Sequence, residues 1–242
     1  MEYRRVVEGV FLSRPNRFIA NVLIGGQECV CHVKNTGRCK ELLVPGARVY
    51  LSVSDNEKRK TKYDLIAVRK GNRLINMDSQ SPNDAAEEYL RMLYPDAEIR
   101  RECVHGDSRF DLRIRDGKGD MYVEVKGVTL ERDGHLYFPD APTERGRKHL
   151  HGLIRCVEEG HRAMVLFVGQ MCDVTGFSPN EGTDPRFAEA LREAQKRGVT
   201  VRCVWCRVTP DSMRIEGNVP VLLGAIRLRG TLFGFHTSEQ GC

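Results

Sequence analysis

Two acidic side chains and one amine, on two neighbouring extended segments, form the chemically most informative pattern in this sequence. Asp111 lies in RFDLRI, and Glu124 and Lys126 lie in MYVEVKGV. The loop RDGKGD between the segments is short and contains glycine, which predicts a β-hairpin. Asp111 and Glu124 are then expected near each other across the strand pair, with Lys126 one step further along.

Alternation of side chains along a strand predicts which residues share a face of the hairpin. In the first strand, Phe110, Leu112 and Ile114 should point to one face. In the second strand, Val123 and Val125 should point one way. The charged side chains of both strands are therefore expected on the opposite face.

A divalent cation would suit two carboxylates held this close, because it removes their mutual repulsion. Mg²⁺ favours carboxylate oxygens and water, and Mn²⁺ accepts similar ligands. Such an ion lowers the pKa of water and neutralises phosphate charge, and Lys126 would add a fixed positive charge. The pattern therefore indicates metal-assisted hydrolysis of a phosphodiester, with Asp111 and Glu124 as metal ligands. The alternative is a sheet whose charged face is merely solvated, since V-E-V-K is a short pattern.

The elements around the hairpin predict an α/β domain over residues 81–242 with a mixed central sheet. AAEEYLRMLY has helical spacing, with Asn83 or Asp84 as its N-cap. A second helix should run from Thr143 to about Gly160, and AMVLFVG is typical of a buried central strand. Asp184 and Pro185 open a third helix, and VTVRCVW follows as a strand. An acidic helix, a hairpin and then a basic helix form the arrangement of the PD-(D/E)xK nuclease core.

The first 80 residues predict a small β-barrel. Five short segments rich in β-branched and aromatic residues are separated by Pro15-Asn16, Gly25-Gly26, Asn35-Thr36-Gly37 and Pro45-Gly46. An OB-fold accounts for this pattern, and an SH3-like barrel would look similar. The domains are thus expected at residues 1–80 and 81–242.

The basic excess of the chain lies in this barrel. Residues 1–80 contain 15 Lys and Arg against 8 Asp and Glu, whereas residues 81–242 contain 23 against 25. The asymmetry indicates a surface for an anionic partner, nucleic acid being the commonest, although a solvated surface without a partner is the alternative. The candidate nucleic-acid-binding residues cluster around two turns: Arg14, Arg17, Lys34, Arg38 and Lys40. Phe18 and Tyr50 would either stack on bases or belong to the core.

A second basic group lies on the helix that begins near Thr143. Arg145, Lys148 and His149 have the spacing of one helical face. Arg145 and Lys148 are candidate phosphate contacts beside the metal, and a solvated helix face is the alternative. His149 is expected to be a surface or packing residue rather than a general base.

Composition and cysteine use limit the class of protein. No run of about 18 apolar residues is present, so no membrane span or membrane partner is expected. The start MEYRRVVEGVF lacks the apolar stretch of a signal peptide, which predicts a cytoplasmic protein. The nine cysteines are expected to be reduced and partly buried, because Cys203 and Cys206 would point to opposite faces of a strand rather than to one zinc ion.

Longer segments resemble the sugar fermentation stimulation protein (SfsA) family. They include RPNRF, CHVKNTGRCKELLVPGARVYL, SRFDLRI, YVEVKGVTL, FPDAPTERGRKHLHGL and FSPNEGTDPRF, within residues 9–223. The resemblance implies an N-terminal OB-like domain and a C-terminal PD-(D/E)xK-like domain. It also implies non-specific DNA binding, a regulatory role in sugar (maltose) metabolism, and nuclease activity.

The resemblance also implies roles for individual residues. Asp111, Glu124 and Lys126 fall on the nuclease-core positions, and Glu88 falls on the helix position of an outer catalytic acid, with Glu87 as its neighbour. Gln170 is either a site residue or a strand-end residue. The sequence departs from the core pattern where Phe110 replaces the proline before Asp111, and the tail beyond Leu223 matches no family pattern.

Two functions follow as hypotheses. The first is a Mg²⁺- or Mn²⁺-dependent nuclease acting on DNA, RNA or both. The second is a non-specific DNA-binding regulatory protein of sugar metabolism whose nuclease-like site is inactive or very slow. A binding module for another polyanion ranks third. The intact set of two acids and a lysine favours the first hypothesis over the second.

Overall fold

The computed structural model describes residues 1–35, 37–56 and 58–224, so most of the tail beyond Leu223 lies outside the described residues. The strands of the first region are β1 (Val6–Asn16), β2 (Ile19–Ile24), β3 (Gln27–Val33), β4 (Arg48–Val53), β5 (Tyr63–Lys70) and β6 (Arg73–Asn76). The second region begins with α1 (Ser81–Leu93), β7 (Glu98–His105), β8 (Ser108–Asp116), β9 (Gly119–Val128), β10 (Glu131–Arg132) and β11 (His135–Phe138). It continues with α2 (Glu144–Glu158), β12 (Arg162–Gly169), β13 (Gly176–Pro179), α3 (Pro185–Lys196), β14 (Thr200–Thr209) and β15 (Ser212–Val219).

The first five strands close into an OB-like barrel, as predicted. The strand order is β3-β2-β1-β4-β5, and the parallel pairing of β3 with β5 joins the two ends. Phe11, Val22, Leu51 and Leu65 fill the interior with almost no exposure to solvent. The short strand β6 continues the sheet from β5 and leads the chain towards α1.

The second region contains a six-stranded mixed sheet with the order β15-β14-β12-β9-β8-β7. The central strand β12 runs parallel to both β9 and β14, and the outer pairs are antiparallel. Helix α1 covers one face, where Ala86 and Leu90 pack with Leu166. Helices α2 and α3 cover the other face, where Leu153 and Leu191 belong to a separate cluster of buried residues. The mixed sheet and its position after the barrel were both predicted.

Two local predictions were wrong. The N-cap of α1 is Gln80, three to four residues before the predicted Asn83 or Asp84, and proline lies in the first turn. Pro82 is suited to that position, because its missing N–H group would be unpaired there anyway. Phe110 lies in the cluster beneath α2, whereas Leu112 lies beneath α1, so the two do not share a face. The regular pairing of β8 with β9 begins only at Leu112.

Buried polar side chains join the barrel to the second region. The side chain of Asn76 in β6 accepts hydrogen bonds from Ser81 Oγ at 2.8 Å and from Gln170 Nε2 at 3.1 Å. The Asn76 amide donates to the hydroxyl of Tyr3 at 3.0 Å. These bonds fix the N-terminal segment, the end of β6 and the end of β12 to one another at the point where α1 begins.

The cysteines of the described residues are all free thiols, as expected. Cys203 and Cys206 belong to different clusters of buried residues, in agreement with the predicted opposite faces. No helix in the described part of the chain combines the length and apolar character that a membrane crossing requires.

Candidate metal and phosphate site

Asp111, Glu124 and Lys126 meet in one open cavity of about 250 Å³. The hairpin of β8 and β9 provides all three. Leu112 pairs with Val123 in the antiparallel hairpin, and Asp111 precedes Leu112 where Glu124 follows Val123. The rest of the wall comes from Val125 of β9, from Ser79 and Asn83 at the start of α1, and from the start of α2: Thr143, Arg145, Gly146 and His149.

Asp111 is held by its side chain rather than by strand pairing. Its Oδ2 accepts the backbone N–H of Val125 at 2.7 Å, and its Oδ1 accepts the side-chain amide of Asn83 at 3.1 Å. The carboxylate thus replaces a carbonyl as the partner of the β9 backbone. Burial raises the pKa of Asp111, and the nearby charge of Glu124 raises it further. The two acids therefore repel each other when both are ionised.

Glu124 is buried in the middle of the sheet and has one paired and one unpaired oxygen. Its Oε1 accepts hydrogen bonds from Lys126 Nζ at 2.5 Å and from His149 Nδ1. Its Oε2 has no hydrogen-bond partner within the described residues. Burial alone would raise the pKa of Glu124, but the bonds from His149 and Lys126 outweigh it and hold the pKa below its usual value. Glu124 is therefore an anion with a free lone-pair site.

The donor set fits a hard divalent cation. A buried carboxylate oxygen without a partner is costly, and a cation shared with Asp111 would satisfy it and relieve the repulsion between the acids. Oxygen ligands of this kind suit Mg²⁺ and Mn²⁺. Lys126, 16% exposed, lies beside these oxygens and would remain a fixed positive charge there.

The N-terminus of α2 adds positive potential to the same cavity. Thr143 caps the helix by accepting the N–H of Gly146 at 3.0 Å, and both residues line the cavity. Asp184, the N-cap of α3, fixes this end by accepting the N–H of Thr143 at 2.9 Å and a guanidinium N–H of Arg147 at 2.8 Å. A helix N-terminus and the neighbouring Arg145 together form a place suited to a phosphate oxygen.

Sequence reasoning missed His149 and Asn83 as members of the cluster. His149 Nε2 lies 3.4 Å from Arg145 Nε, and its Nδ1 donates to Glu124, so the ring is tied into the cavity rather than to the surface. The i, i+4 spacing with Arg145 was a usable signal, but it did not show which way the helix face points. Asn83 carried no signal, because an amide near a helix start is usually read as a cap.

The structure does not bring Glu88 to the cluster. Its carboxylate accepts a hydrogen bond from the Met1 amino group at 2.7 Å, and its side chain is 55% exposed. Glu87 instead pairs with Arg91 and Arg101. The residue that α1 contributes to the cavity is Asn83, one helical turn before Glu87.

Lys148 and Gln170 also lie apart from the cavity wall. Lys148 is exposed on α2, and its charge acts on Asp107 at the turn between β7 and β8. Gln170 is buried at the end of β12 and donates to Asn76, to Ser81 Oγ at 3.4 Å and to the carbonyl of Asp78 at 3.2 Å. Gln170 is thus a strand-end residue that joins the two regions.

Two of the five candidate cations of the barrel are engaged in internal contacts. Arg14 donates to four backbone carbonyls, those of Arg17, Asn35, Gly37 and Arg38, at 2.7–3.0 Å. Lys34 lies 3.3 Å from Asp78 and 3.7 Å from Asp64. Arg14 and Lys34 were predicted as binding residues because of their charge. In the structure their charged groups make contacts within the protein instead.

The other three cations, Arg17, Arg38 and Lys40, have no ion-pair partner among the described residues. They line an open groove of about 660 Å³ with Arg14, over a floor that includes Phe11 and Leu43. Phe18 beside the groove is 50% exposed with Arg17 over its ring, whereas Tyr50 belongs to the core. The groove combines positive charge with an adjacent, half-exposed aromatic ring.

Three neighbouring cavities share wall residues from the barrel groove to the Glu124 cavity. The Glu124 cavity shares Ser79 and Thr143 with a second cavity of about 340 Å³. The second cavity shares Gly37 and Ala141 with the barrel groove. Its walls are the end of β9 and the loop from Phe138 to Thr143. An extended ligand lying in this series would touch both regions.

Two family models match the chain over most of its length. The model described as the SfsA N-terminal OB domain matches residues 12–77. The model described as the sugar fermentation stimulation protein RE domain matches residues 80–212.

Individual proteins match it over 92% of its length. A sugar fermentation stimulation protein homolog of Desulfitobacterium hafniense (strain DSM 10664 / DCB-2) is 52% identical over 225 residues, which cover 92% of this chain and 99% of that protein. The homolog of Clostridium perfringens (strain 13 / Type A) is 46% identical over 230 residues, covering 92% and 100%. The solved structure of Pyrococcus furiosus SfsA in complex with Ca²⁺ has 30% identity and a TM-score of 0.83, covering 92% of this chain and 98% of that one.

Proposed function

Because this chain belongs to the sugar fermentation stimulation protein family, we propose that it binds nucleic acid and hydrolyses its phosphodiester bonds with Mg²⁺ or Mn²⁺ at the cavity of Asp111, Glu124 and Lys126. The proposed substrate is DNA, RNA or both. The barrel groove contributes binding, and the cavity contributes the chemistry.

The observation that carries the proposal is the unpaired Oε2 of Glu124. An oxygen buried in the wall of a cavity without a hydrogen-bond partner loses solvation and gains nothing in return. Asp111, whose pKa is raised first by burial and then by Glu124, lies beside it. A carboxylate pair of this kind is most stable when a cation lies between its members.

Each side chain has a distinct proposed role. Asp111 and Glu124 hold the cation, which when bound lowers the pKa of a water ligand and neutralises charge on the scissile phosphate. Lys126 stabilises the negative charge that develops on the phosphate oxygens. Arg145 and the N-terminus of α2 position the phosphate from the other side of the cavity. His149 orients Glu124 Oε1, leaving the other oxygen for the cation.

The three neighbouring cavities support a path for the nucleic acid. Backbone phosphates would lie along Arg17, Arg38 and Lys40, and the strand would continue past Gly37 and Ala141 to the Glu124 cavity. Phosphate contacts position a strand without selecting a sequence, so low sequence specificity is expected.

The Ca²⁺ complex of the Pyrococcus furiosus relative also supports the proposal. Ca²⁺ and Mg²⁺ are both hard cations that bind oxygen ligands. A relative of the same fold that binds one of them makes a divalent-cation site a reasonable expectation for this chain.

The test is a cleavage assay with labelled single- and double-stranded DNA and RNA. With Mg²⁺ or Mn²⁺ the protein should cut at least one substrate, and a chelator should stop the reaction. Asp111→Asn, Glu124→Gln and Lys126→Ala should each reduce the rate by about 100-fold or more. Lys118→Ala, at the exposed tip of the same hairpin, is the matched control and should cut normally. Failure of the wild-type protein to cut any of these substrates would refute the hydrolysis.

A second candidate is a nucleic-acid-binding regulatory protein with an inactive or very slow site. Lys126 and His149 both donate hydrogen bonds to Glu124 Oε1, so this oxygen has partners without a metal. That observation favours an inactive or very slow site. The position of Glu88 at the Met1 amino group also favours it, because the cavity then lacks an outer acid. In that case binding would persist in the absence of any cleavage.

Binding is tested separately by its dependence on salt. Replacing Arg17, Arg38 and Lys40 with alanine should reduce the slope of log K against log salt by about 2 for single strands and about 3 for a duplex. Arg186→Ala with Lys196→Ala, two exposed cations of α3, is the control and should leave the slope unchanged. An unchanged slope in the triple variant would remove the groove from the binding surface.

A further inference from the structure

Three side chains capable of binding a metal meet at the far end of α2 from the Glu124 cavity. His105 ends β7, Glu159 is the C-cap of α2, and His161 directly precedes β12. Their ligand atoms all lie within 4.8 Å of one another, and His105 Nε2 is 2.5 Å from Glu159 Oε2. Glu159 lies ten positions after His149 along the helix, which places the two clusters about 15 Å apart along the axis.

The backbone holds these three residues in place. The N–H of His161 donates to the carbonyl of Cys156 at 2.9 Å, and that of Glu159 donates to Arg155 at 2.9 Å, which fixes the turn at the end of α2. Gly160 between them has a φ of +87°, a value that glycine adopts without strain. His105 is paired with Ser108 in the tight turn between β7 and β8. The regular structure before and after these residues thus positions the three metal-binding side chains.

A buried aromatic ring fixes the two imidazoles further. The Tyr122 ring centroid lies 4.5 Å from that of His105 and 5.5 Å from that of His161. The two imidazole centroids are 5.1 Å apart with perpendicular planes. Because Tyr122 is 6% exposed and packed in the sheet, it restricts the rotamers of both histidines. Less side-chain freedom is then lost when the rings bind an ion.

We propose that His105, Glu159 and His161 bind a transition-metal ion, with Zn²⁺ as the expected ion and water completing its coordination. Two imidazoles and one carboxylate are ligands for Zn²⁺, Co²⁺ and Ni²⁺ rather than for Mg²⁺, which prefers oxygen. Without the ion, the hydrogen bond between His105 and Glu159 keeps the cluster together. The bound ion joins the β7–β8 turn to the end of α2. The proposal does not depend on nuclease activity.

The test is a Zn²⁺ titration of metal-free protein against a competing chromophoric chelator. His161→Ala and Glu159→Gln should each remove one Zn²⁺ site or weaken its affinity by more than about 100-fold. Loss of a residue that contacts only a metal ligand already lowers metal affinity by about 10–100-fold. His151→Ala is the matched control, because His151 is an exposed histidine of α2 outside the cluster, and it should bind as the wild type does.

Other outcomes are equally definite. The Glu124 cavity and the partly exposed thiols offer alternative Zn²⁺ sites. Each titration is therefore repeated in the Glu124→Gln background and with Co²⁺, whose absorption spectrum distinguishes nitrogen and oxygen ligands from thiolate. Loss of one site on His161→Ala in that background supports the proposal. Circular dichroism first establishes that all three proteins are folded. If wild type, His161→Ala and Glu159→Gln then bind Zn²⁺ with equal affinity and stoichiometry, the proposal is overturned and the cluster is an ion pair only.

Discussion

Glu131 in β10 offers the sharpest test of how the barrel is held to the second region. Its carboxylate accepts hydrogen bonds from Lys70 Nζ at 2.6 Å and Arg73 Nη1 at 2.6 Å, both from the barrel hairpin of β5 and β6. It also accepts the N–H of Gly134 at 3.0 Å. Glu131→Gln preserves the size of the side chain and removes its charge.

The expected loss of stability follows from the exposure of the partners. Breaking a fully buried ion pair costs about 3–5 kcal/mol, because one charge is left buried. The Glu131 side chain is 5% exposed, but those of Lys70 and Arg73 are 36% and 21% exposed, so both cations regain water. The retained amide oxygen still accepts one bond. A loss of about 2 kcal/mol is expected, which lowers the melting temperature by about 4–8 °C for a protein of this size.

Calorimetry at several pH values checks both the size and the origin of the effect. Burial would raise the pKa of Glu131, but the bonds from Lys70 and Gly134 outweigh it and hold the pKa below its usual value. A lowered native pKa stabilises the protein above the unfolded-state pKa, and this contribution disappears as the pH falls through the native value. The difference between wild type and Glu131→Gln should therefore be full at pH 7 and shrink below about pH 4.5.

The control is Glu8→Gln, which removes one member of an exposed barrel pair with Arg48. Such a surface pair should change stability by less than about 0.5 kcal/mol. Equal melting temperatures of wild type and Glu131→Gln at pH 7, or a difference that does not change with acid, would refute the reasoning about this carboxylate.

Two further changes test packing and the barrel loop. Gly127→Ala should destabilise the protein by about 1–3 kcal/mol in urea unfolding. A Cβ at position 127 would lie 2.5 Å from Gln170 Oε1 and 2.7 Å from Pro82 Cγ. Unchanged stability would mean that these two side chains move away at no cost. Arg14→Ala should cost about 2 kcal/mol or more, since four carbonyl contacts are lost, whereas Arg17→Ala should stay within about 0.5 kcal/mol. Equal effects of the two arginine variants would contradict the structural role given to Arg14.

The larger elements were predictable because their patterns are local. AMVLFVG was expected to be a central strand, and β12 is buried almost throughout and lies between β9 and β14. The edge strand β15 was not predicted, although it has eight residues and pairs along β14. The short strands β6, β10, β11 and β13 were not predicted either. Each has two to four residues, which is too few for a periodic pattern, and each exists because a neighbouring strand supplies its hydrogen bonds.

The candidate site likewise has a part that was predictable from the sequence and a part that was not. The proximity of Asp111 and Glu124 depended on one hairpin, whose turn was visible in the sequence. The contribution of His149 depended on how α2 lies across the sheet, which is set by contacts between residues distant along the chain. Lys34 shows the same limit, because its charge is visible in sequence but its partner Asp78 lies 44 residues away.

The unequal burial of the free thiols gives the protein its own sites for chemical labelling. Burial raises the pKa of Cys31, Cys39 and Cys206, so these thiols are poor nucleophiles at neutral pH. Cys29 on the barrel and Cys103 on β7 are partly exposed. A maleimide fluorophore should therefore react first with accessible positions in both regions. Energy transfer between labels on Cys29 and Cys103, with Cys172 and Cys242 replaced by serine, would report whether the barrel and the sheet change their separation when a ligand is added.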